Sequence, residues 1–191
     1  MIKQNIKSIC VFCGSRDGSN VKYTQAAKEL GQLMAKQKFS LVYGGGNVGL
    51  MGSIASESQK KNNEVLGVIP NHLMEKEVGE KSLNNLVITK NMHERKMLMY
   101  KKSDAFIILP GGVGTLDEFF ETLTWAQLNI HKKPIILLNI GDFWNPLINL
   151  LNHQIKLGFV NITINKLFVT VSTPKEAINY LLDSKRQLSP E

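Results

Sequence analysis

Short apolar runs alternate with amphipathic stretches along the whole chain. Residues 21–36, for example, place Ala26, Leu30, Leu33 and Met34 at helical spacing. The pattern predicts strands at residues 8–13, 40–43, 65–69, 86–89, 105–109, 135–138 and 167–171. It predicts helices at residues 21–36, 50–61, 115–128 and 143–157, a helix that Asn91 caps and that runs to residue 102, and a last helix opened by Pro174.

Strands that are apolar throughout and are separated by helices are typical of a parallel sheet covered on both faces. We therefore expect an α/β fold with a doubly wound, mostly parallel, Rossmann-like sheet that binds ligands beyond the carboxyl ends of its strands. A length of 191 residues suits one domain, residues 1–191. Residues 72–85 form the only long polar connection, and the tail after about residue 184 is expected to be flexible.

Composition narrows the range of partners. The chain has 23 Lys and Arg against 16 Asp and Glu, a net charge of +7, which favours anionic ligands. Its lysines form scattered pairs with few aromatics beside them, so we do not expect nucleic acid as a partner. No apolar run approaches the roughly 20 residues that span a bilayer. Two cysteines are too few for a disulfide framework. We expect a cytoplasmic protein without membrane contact.

Glycine-rich turns end three of the predicted strands, at residues 13–15, 44–46 and 110–115. Glycine lets the backbone approach a ligand closely, and the helix that follows aims free N–H groups at an anion such as phosphate. The first turn is equally well explained as strand-to-helix punctuation. Residues 44–49 also fit G-x-G-x-x-G, but no acid follows the next strand as a dinucleotide site requires. The candidate binding residues in these turns are Gly14, Ser15, Gly45, Gly46, Gly111, Gly112, Val113, Gly114 and Thr115.

Two acids follow the third glycine turn and allow two interpretations. Thr115 and Glu118 have the spacing of a capping box, which stabilises a helix and performs no chemistry. Alternatively, Glu118, Glu121 and Trp125 share a helix face, where two carboxylates beside a phosphate loop would hold sugar hydroxyls or stabilise a cationic transition state. The spacing alone does not decide between them.

Basic residues on the helix after Asn91 are also open to two interpretations. Arg95 and Lys96 lie either on a solvated helix face or against a phosphate or substrate. Arginine can bind a phosphate through two hydrogen bonds at once. His93 and Glu94 begin a zinc-protease pattern, but Met97 stands where its second histidine is needed, so we expect no metal.

The cysteine pair of the first strand is separated by two residues. Cys10 and Cys13 point to opposite faces of that strand, which favours buried free thiols over a redox pair.

Several motifs occur together in one order. They are CVFCGS at 10–15, GGGNVGLMG at 44–52, GVIP at 67–70, MHERK at 92–96, PGGVGTLDE at 110–118 and TWAQLNIH at 124–131. The chain resembles the Lonely Guy family of cytokinin-activating enzymes, often mislabelled lysine decarboxylases, over residues 8–159. The likeness implies hydrolysis of the N-glycosidic bond of nucleoside 5′-monophosphates, chiefly N6-prenylated AMP and in several members AMP itself, with release of base and ribose 5-phosphate. It also implies that the enzyme is a homodimer and uses neither a metal nor an organic cofactor.

The resemblance also implies roles for individual residues. Arg95 and Glu118 would be the catalytic pair, and Glu121 would support the sugar. Glu77, Lys96, Thr124 and the loop 112–115 would bind the nucleotide. Val113 stands where the family often has Tyr, which leaves the preferred base open. Two other functions compete with this one. The chain could be a non-catalytic nucleotide carrier or a pyridoxal-phosphate decarboxylase, but no lysine stands out as the Schiff-base site that the decarboxylase needs.

Aromatic residues near the two acids suggest an assembly. Phe119, Phe120 and Trp125, with the apolar pair Phe143 and Trp144, exceed what one small sheet needs for cover. We expect part of this surface to be buried in a two-fold dimer.

Overall fold

One parallel sheet organises the described part of the chain, residues 6–60, 62–74 and 85–186 of a computed structural model. Its seven strands follow the order β4-β3-β2-β1-β5-β6-β7. Every neighbouring pair is parallel. The strands are β1 Ser8–Phe12, β2 Ser40–Tyr43, β3 Val65–Pro70, β4 Leu86–Thr89, β5 Ala105–Ile108, β6 Ile135–Leu138 and β7 Val169–Val171. The predicted doubly wound α/β fold is confirmed.

The strand order reverses between β1 and β5. The chain winds outward from β1 through β2 and β3 to β4, then returns to place β5 on the other side of β1. Cys10 of β1 pairs with Phe106 of β5 at this junction. In open α/β sheets the crevice for a ligand opens beyond the carboxyl ends of the strands at such a point. The loops after β1 and β5 are therefore placed at the ligand-binding edge.

Six helices of the described residues cover the two faces. They are α1 Val21–Lys36, α2 Gly49–Gln59, α3 Met92–Lys101, α4 Val113–Gln127, α5 Asn145–Lys156 and α6 Pro174–Arg186. One core packs α1, α2 and α6 on the sheet, and the other packs α3, α4 and α5. Cys10 belongs to the second core and Cys13 to the first, and both are buried free thiols, as predicted.

Side-chain caps fix the starts of two helices. The Asn20 side chain accepts a hydrogen bond from the Lys22 N–H, and the Asn91 side chain accepts one from the Glu94 N–H at 2.9 Å. Both helices begin where the sequence predicts. α6 continues two residues past the predicted fraying point. Of the long polar connection, residues 75–84 lie outside the described residues.

The start of α4 corrects one interpretation. The helix begins at Val113, two residues before the predicted start, and Gly112 is its N-cap without any side-chain cap. Thr115 therefore lies inside the first turn and Glu118 in the second, so the proposed capping box between them is wrong. Glu118 is buried by packing, not held at the helix terminus.

Candidate active site

A cavity of about 410 Å³ opens at the point where the strand order reverses. Its walls come from the end of β1 and the loop after it, the end of β2, α3, and the glycine loop that leads into α4. Gly14 N–H donates to the Pro110 carbonyl at 3.0 Å, which ties the first of these loops to the last. The parallel sheet thus brings together turns that are about a hundred residues apart in sequence.

Packing requires one glycine of the glycine loop and leaves space beside two others. A Cβ on Gly111 would collide with the Thr115 hydroxyl, so packing requires glycine there. A Cβ on Gly112 or Gly114 would meet nothing within 4 Å, and neither residue has a positive φ. The fold itself does not require glycine at these two positions. A ligand that approaches the backbone closely would require it.

The N-terminus of α4 faces the same cavity. The first intrahelical bond runs from the Leu116 N–H to the Gly112 carbonyl, and no side chain caps the N–H groups before it. Such free donors and the positive end of the helix dipole form an anion site. Together with the space beside Gly112 and Gly114, these donors make this end of the cavity suitable for binding a phosphate group.

Glu118 lies in the second turn of α4 with only 8% of its surface exposed. Burial raises the pKa of its carboxyl to about 7, against the opposing effect of Arg95. The adjacent acids Asp117 and Glu121 raise it further, and Lys96 lowers it. Glu118 therefore changes its protonation state near neutral pH, the range in which an acid or base group is most effective.

Arg95 is the buried cation of the cavity, 6% exposed. Its Nη2 donates to the Gly44 carbonyl at 3.0 Å, and its Nη1 contacts the Met92 sulfur at 3.7 Å. Its Nε has no hydrogen-bond partner. A Cβ on Gly44 would overlap Nη2, so the glycine at the end of β2 makes room for the guanidinium.

Arg95 and Glu118 line the cavity without touching each other. No ion pair within 4.0 Å joins them among the described residues, although the charge of Arg95 lowers the pKa of Glu118. Both buried side chains are therefore available to a molecule bound in the cavity. This geometry suits a reaction in which charge develops on a bound substrate.

The cavity collects most of the predicted site residues. Its lining includes Arg95, Glu118, Gly14, Ser15, Gly111, Gly112, Val113, Gly114 and Thr115. Gly45 and Gly46 are buried outside this lining, and Gly45, with a φ of 77°, packs against Ile69 and Leu86.

The remaining predicted residues lie elsewhere. Lys96 and Glu121 form an ion pair outside the lining, and Thr124 is exposed on α4. Glu77 lies outside the described residues.

Several lining residues were not predicted. They are Arg16, Asp17, Gly18, Tyr23, Leu50, Met51, Met92, Met99 and Phe143, with Gly44 as the support for Arg95. Met92, Arg95 and Met99 follow helical spacing at i, i+3 and i+7, a signal that identifies one face of α3. Arg16 and Asp17 directly follow the first glycine turn, which the sequence left undecided.

Comparison with known proteins identifies the family of the chain. Residues 51–181 match the family described as "Possible lysine decarboxylase". The cytokinin riboside 5′-monophosphate phosphoribohydrolase LOG1 of Arabidopsis thaliana is 43% identical over 182 residues, 95% of this chain and 85% of that protein. LOG3 of the same plant is 41% identical over 95% of this chain and 84% of its own length. The chain belongs to the Lonely Guy family.

Solved structures share the fold of this Lonely Guy family member at lower identity. The molybdenum cofactor binding protein of Rippkaea orientalis aligns with a TM-score of 0.71 and 24% identity, over 94% of this chain and 97% of that one. A Moco carrier protein of Chlamydomonas reinhardtii aligns with a TM-score of 0.71 and 18% identity, over 96% and 100%. At these identities the likeness concerns the fold alone.

Three further observations concern the described residues of this Lonely Guy family member. None of their helices is both long and apolar enough to cross a bilayer. They contain no group of three or more His, Cys, Asp and Glu side chains arranged for a metal ion. No lysine lines the described cavity, so this site offers no amine for a pyridoxal Schiff base.

Proposed function

We propose that the chain hydrolyses the N-glycosidic bond of adenosine 5′-monophosphates, including N6-prenylated AMP, and releases free base and ribose 5-phosphate. Relatives with 43% and 41% identity are cytokinin riboside 5′-monophosphate phosphoribohydrolases. The observation that carries the proposal is the buried, unpaired Arg95 and Glu118 facing one cavity beside a free helix N-terminus. The site needs no metal or organic cofactor for this reaction.

The glycine loop and the α4 N-terminus bind the 5′-phosphate. Residues 112–115 supply the backbone donors, and the two glycines without packing neighbours leave space for the phosphate oxygens. Ser15 and the Gly14 backbone face the same cavity from the other loop. Binding energy from the phosphate, which does not react, then positions C1′ of the ribose.

Glu118 acts on the reacting carbon in its ionised form. Bond cleavage gives C1′ oxocarbenium character, and a buried carboxylate stabilises that charge better than one in water. Water adds to C1′ as the bond to the purine nitrogen breaks, and the carboxylate accepts the proton from this water. Because burial raises the pKa of Glu118 to about 7, kcat/KM rises as the pH increases through about 7.

Arg95 stabilises the departing purine. The guanidinium donates to the neutral carbonyl of Gly44, and its Nε has no hydrogen-bond partner among the described residues and can donate to a ligand. Negative charge that develops on the leaving base would be neutralised there. Loss of Arg95 is therefore expected to lower kcat more than it raises KM for AMP.

The exposed apolar residues of the chain bear on its assembly. Phe119 and Trp144 are buried within the single chain, so they do not support a dimer as the sequence suggested. Leu128 and Ile130 after α4 remain exposed by 64% and 58%, and Phe159 by 85%, which supports burial against a second copy. We propose a cytoplasmic homodimer that binds neither nucleic acid nor membrane. Light scattering that shows a monomer at micromolar concentration would contradict the dimer.

The decisive experiment is incubation of the purified chain with AMP and with isopentenyl-AMP, followed by chromatography for free base. Adenosine, which lacks the phosphate, is the matched control and should release base far more slowly. The Glu118→Gln variant controls for contaminating nucleosidases. Nucleotide binding without any release of base would instead support a carrier, and an absorbance band of bound pyridoxal phosphate would support a decarboxylase.

A further inference from the structure

The loop after β1 places an arginine without a partner at the cavity. Arg16 lines the cavity and is exposed, and its side chain forms no ion pair or hydrogen bond with another described residue. The neighbouring Asp17 accepts a hydrogen bond from the Thr24 hydroxyl at 3.2 Å. Arg95, the other cation of the described lining, donates to the Gly44 carbonyl. The guanidinium of Arg16 is therefore available to a ligand.

Contacts on two sides fix the backbone from which Arg16 extends. On one side, the Gly14 N–H donates to the Pro110 carbonyl at 3.0 Å, at the start of the glycine loop. On the other side, the Leu50 N–H of α2 donates to the Gly14 carbonyl at 3.2 Å. A Cβ on Gly49 would overlap the main-chain nitrogen of Arg16. Because consecutive Cα atoms are about 3.8 Å apart, Arg16 begins within about 8 Å of the residue that is bonded to the glycine loop.

The proposed phosphate site lacks a cation of its own. A phosphate monoester carries a charge of about −1.5 to −2 at pH 7, whereas a helix N-terminus contributes only about +0.5. Residues 110–118, which form the glycine loop and the first turns of α4, contain no basic side chain and include the acids Asp117 and Glu118. Arginine matches a phosphate with two parallel N–H groups. Arg16 is the available side chain of the lining that can supply this charge.

We propose that Arg16 is a ligand of the 5′-phosphate and makes the site specific for nucleotides over nucleosides: its guanidinium binds the phosphate from the loop after β1, while the glycine loop binds it through main-chain donors. The inference rests on the proposed function and assigns the recognition of charge to a side chain outside the glycine loop. Because the phosphate does not react, Arg16 binds it equally in the ground state and in the transition state. Its loss therefore raises KM more than it lowers kcat.

Substitution of Arg16 should affect only substrates that carry a phosphate. Arg16→Ala should raise KM for AMP by about 10- to 100-fold, the range expected for the loss of a charge-assisted hydrogen bond, and change kcat by less than about threefold. Arg16→Lys keeps the charge but not the paired N–H groups, so its KM should be intermediate. The kcat/KM for adenosine should be unchanged in both variants. Their melting temperatures should equal that of the wild type, because the side chain is exposed.

A matched control separates this contact from the net charge of the chain. Lys36 lies in the last turn of α1, roughly 20 Å along the helix axis from Tyr23 of the cavity wall. That distance exceeds the Debye length of about 8 Å at physiological salt. Lys36→Ala removes the same charge as Arg16→Ala and should leave KM for AMP unchanged.

Binding of ribose 5-phosphate tests the contact without turnover. Calorimetry should show that Arg16→Ala raises the Kd for this ligand by about the same factor as KM for AMP, and that Lys36→Ala leaves it unchanged. A rise in KM confined to AMP, with a matching rise in Kd, supports the proposal. An unchanged KM and Kd, an equal loss for adenosine, or a fall in kcat at unchanged KM overturns it.

The two proposals fail in different ways. If the wild type releases no base from AMP but Arg16→Ala weakens the binding of ribose 5-phosphate, the proposed function fails and the assignment of Arg16 stands. If the wild type hydrolyses AMP and Arg16→Ala equals it in KM and Kd, the assignment of Arg16 fails and the proposed function stands.

Discussion

Replacing Glu118 by Gln tests the site most sharply, because the structure predicts opposite effects on activity and on stability. The amide keeps the volume of the side chain but cannot ionise. It can neither accept a proton from water nor stabilise a cationic C1′. A positioned base alone contributes roughly 10² to 10⁴ in rate, so we expect kcat to fall by at least about 10².

The stability of the same variant follows from the raised pKa of Glu118. Its carboxyl has a pKa of about 7 in the folded chain, against 4.5 as the ordinary value. Between these pH values the folded state binds more protons than the unfolded state, so the free energy of unfolding falls as the pH rises. The full loss, present above pH 7, is at most roughly 3 to 4 kcal/mol, since the pKa differs by about 2.5 units and one unit corresponds to about 1.4 kcal/mol.

Glutamine escapes this loss because it does not titrate. Glu118→Gln should therefore match the wild type below about pH 4.5 and unfold at a higher denaturant concentration than the wild type at pH 8. Chromatography for free base measures the activity, and urea titrations followed by circular dichroism at both pH values measure stability. Near-normal turnover would refute the catalytic role. A difference in unfolding free energy that does not depend on pH would refute the buried, raised carboxyl.

Other substitutions test the remaining parts of the cavity. Gly114→Ala should raise KM for AMP at least tenfold while the melting temperature stays equal or increases, because the new methyl meets no protein atom and alanine favours a helix; an unchanged KM would remove the phosphate from this loop. Gly44→Ala should lower kcat by at least about 10², because its methyl displaces the Arg95 guanidinium; full activity would show that the anchor at Gly44 is dispensable. Tyr43→Phe should leave stability unchanged or raise it by about 1 kcal/mol in thermal unfolding, because the buried Tyr43 hydroxyl has no partner; a marked loss would reveal a bond that the hydroxyl makes.

The sheet was predictable from sequence because its strands are apolar on both faces. All seven strands and six helices of the described residues occur where hydrophobic runs and helical spacing predict them. Boundaries were exact where a side chain marks them, as Asn20 does for α1. The predicted starts of α4 and α5 were each displaced by two residues, because their caps, Gly112 and Trp144, make no side-chain capping bond that the sequence could show.

The site was predictable only in part. Helical spacing placed Glu118 and Glu121 on one face, but spacing does not show which neighbour that face meets. In the structure Glu118 is buried in the cavity wall, whereas Glu121 binds Lys96 on the neighbouring helix. The anchor of Arg95 at Gly44 joins residues 51 positions apart, and only the parallel pairing of the strands brings them together.

The anchor of Arg95 has a consequence for how this enzyme tolerates mutation. Where a carboxylate holds an arginine, its replacement by an apolar residue removes the acceptor. Here the acceptor is the main-chain oxygen of Gly44, which every amino acid possesses. No substitution can delete it, and only added side-chain volume can obstruct it. Sequence drift at this position is therefore limited by size and not by chemistry, and a library of variants should retain activity with glycine alone.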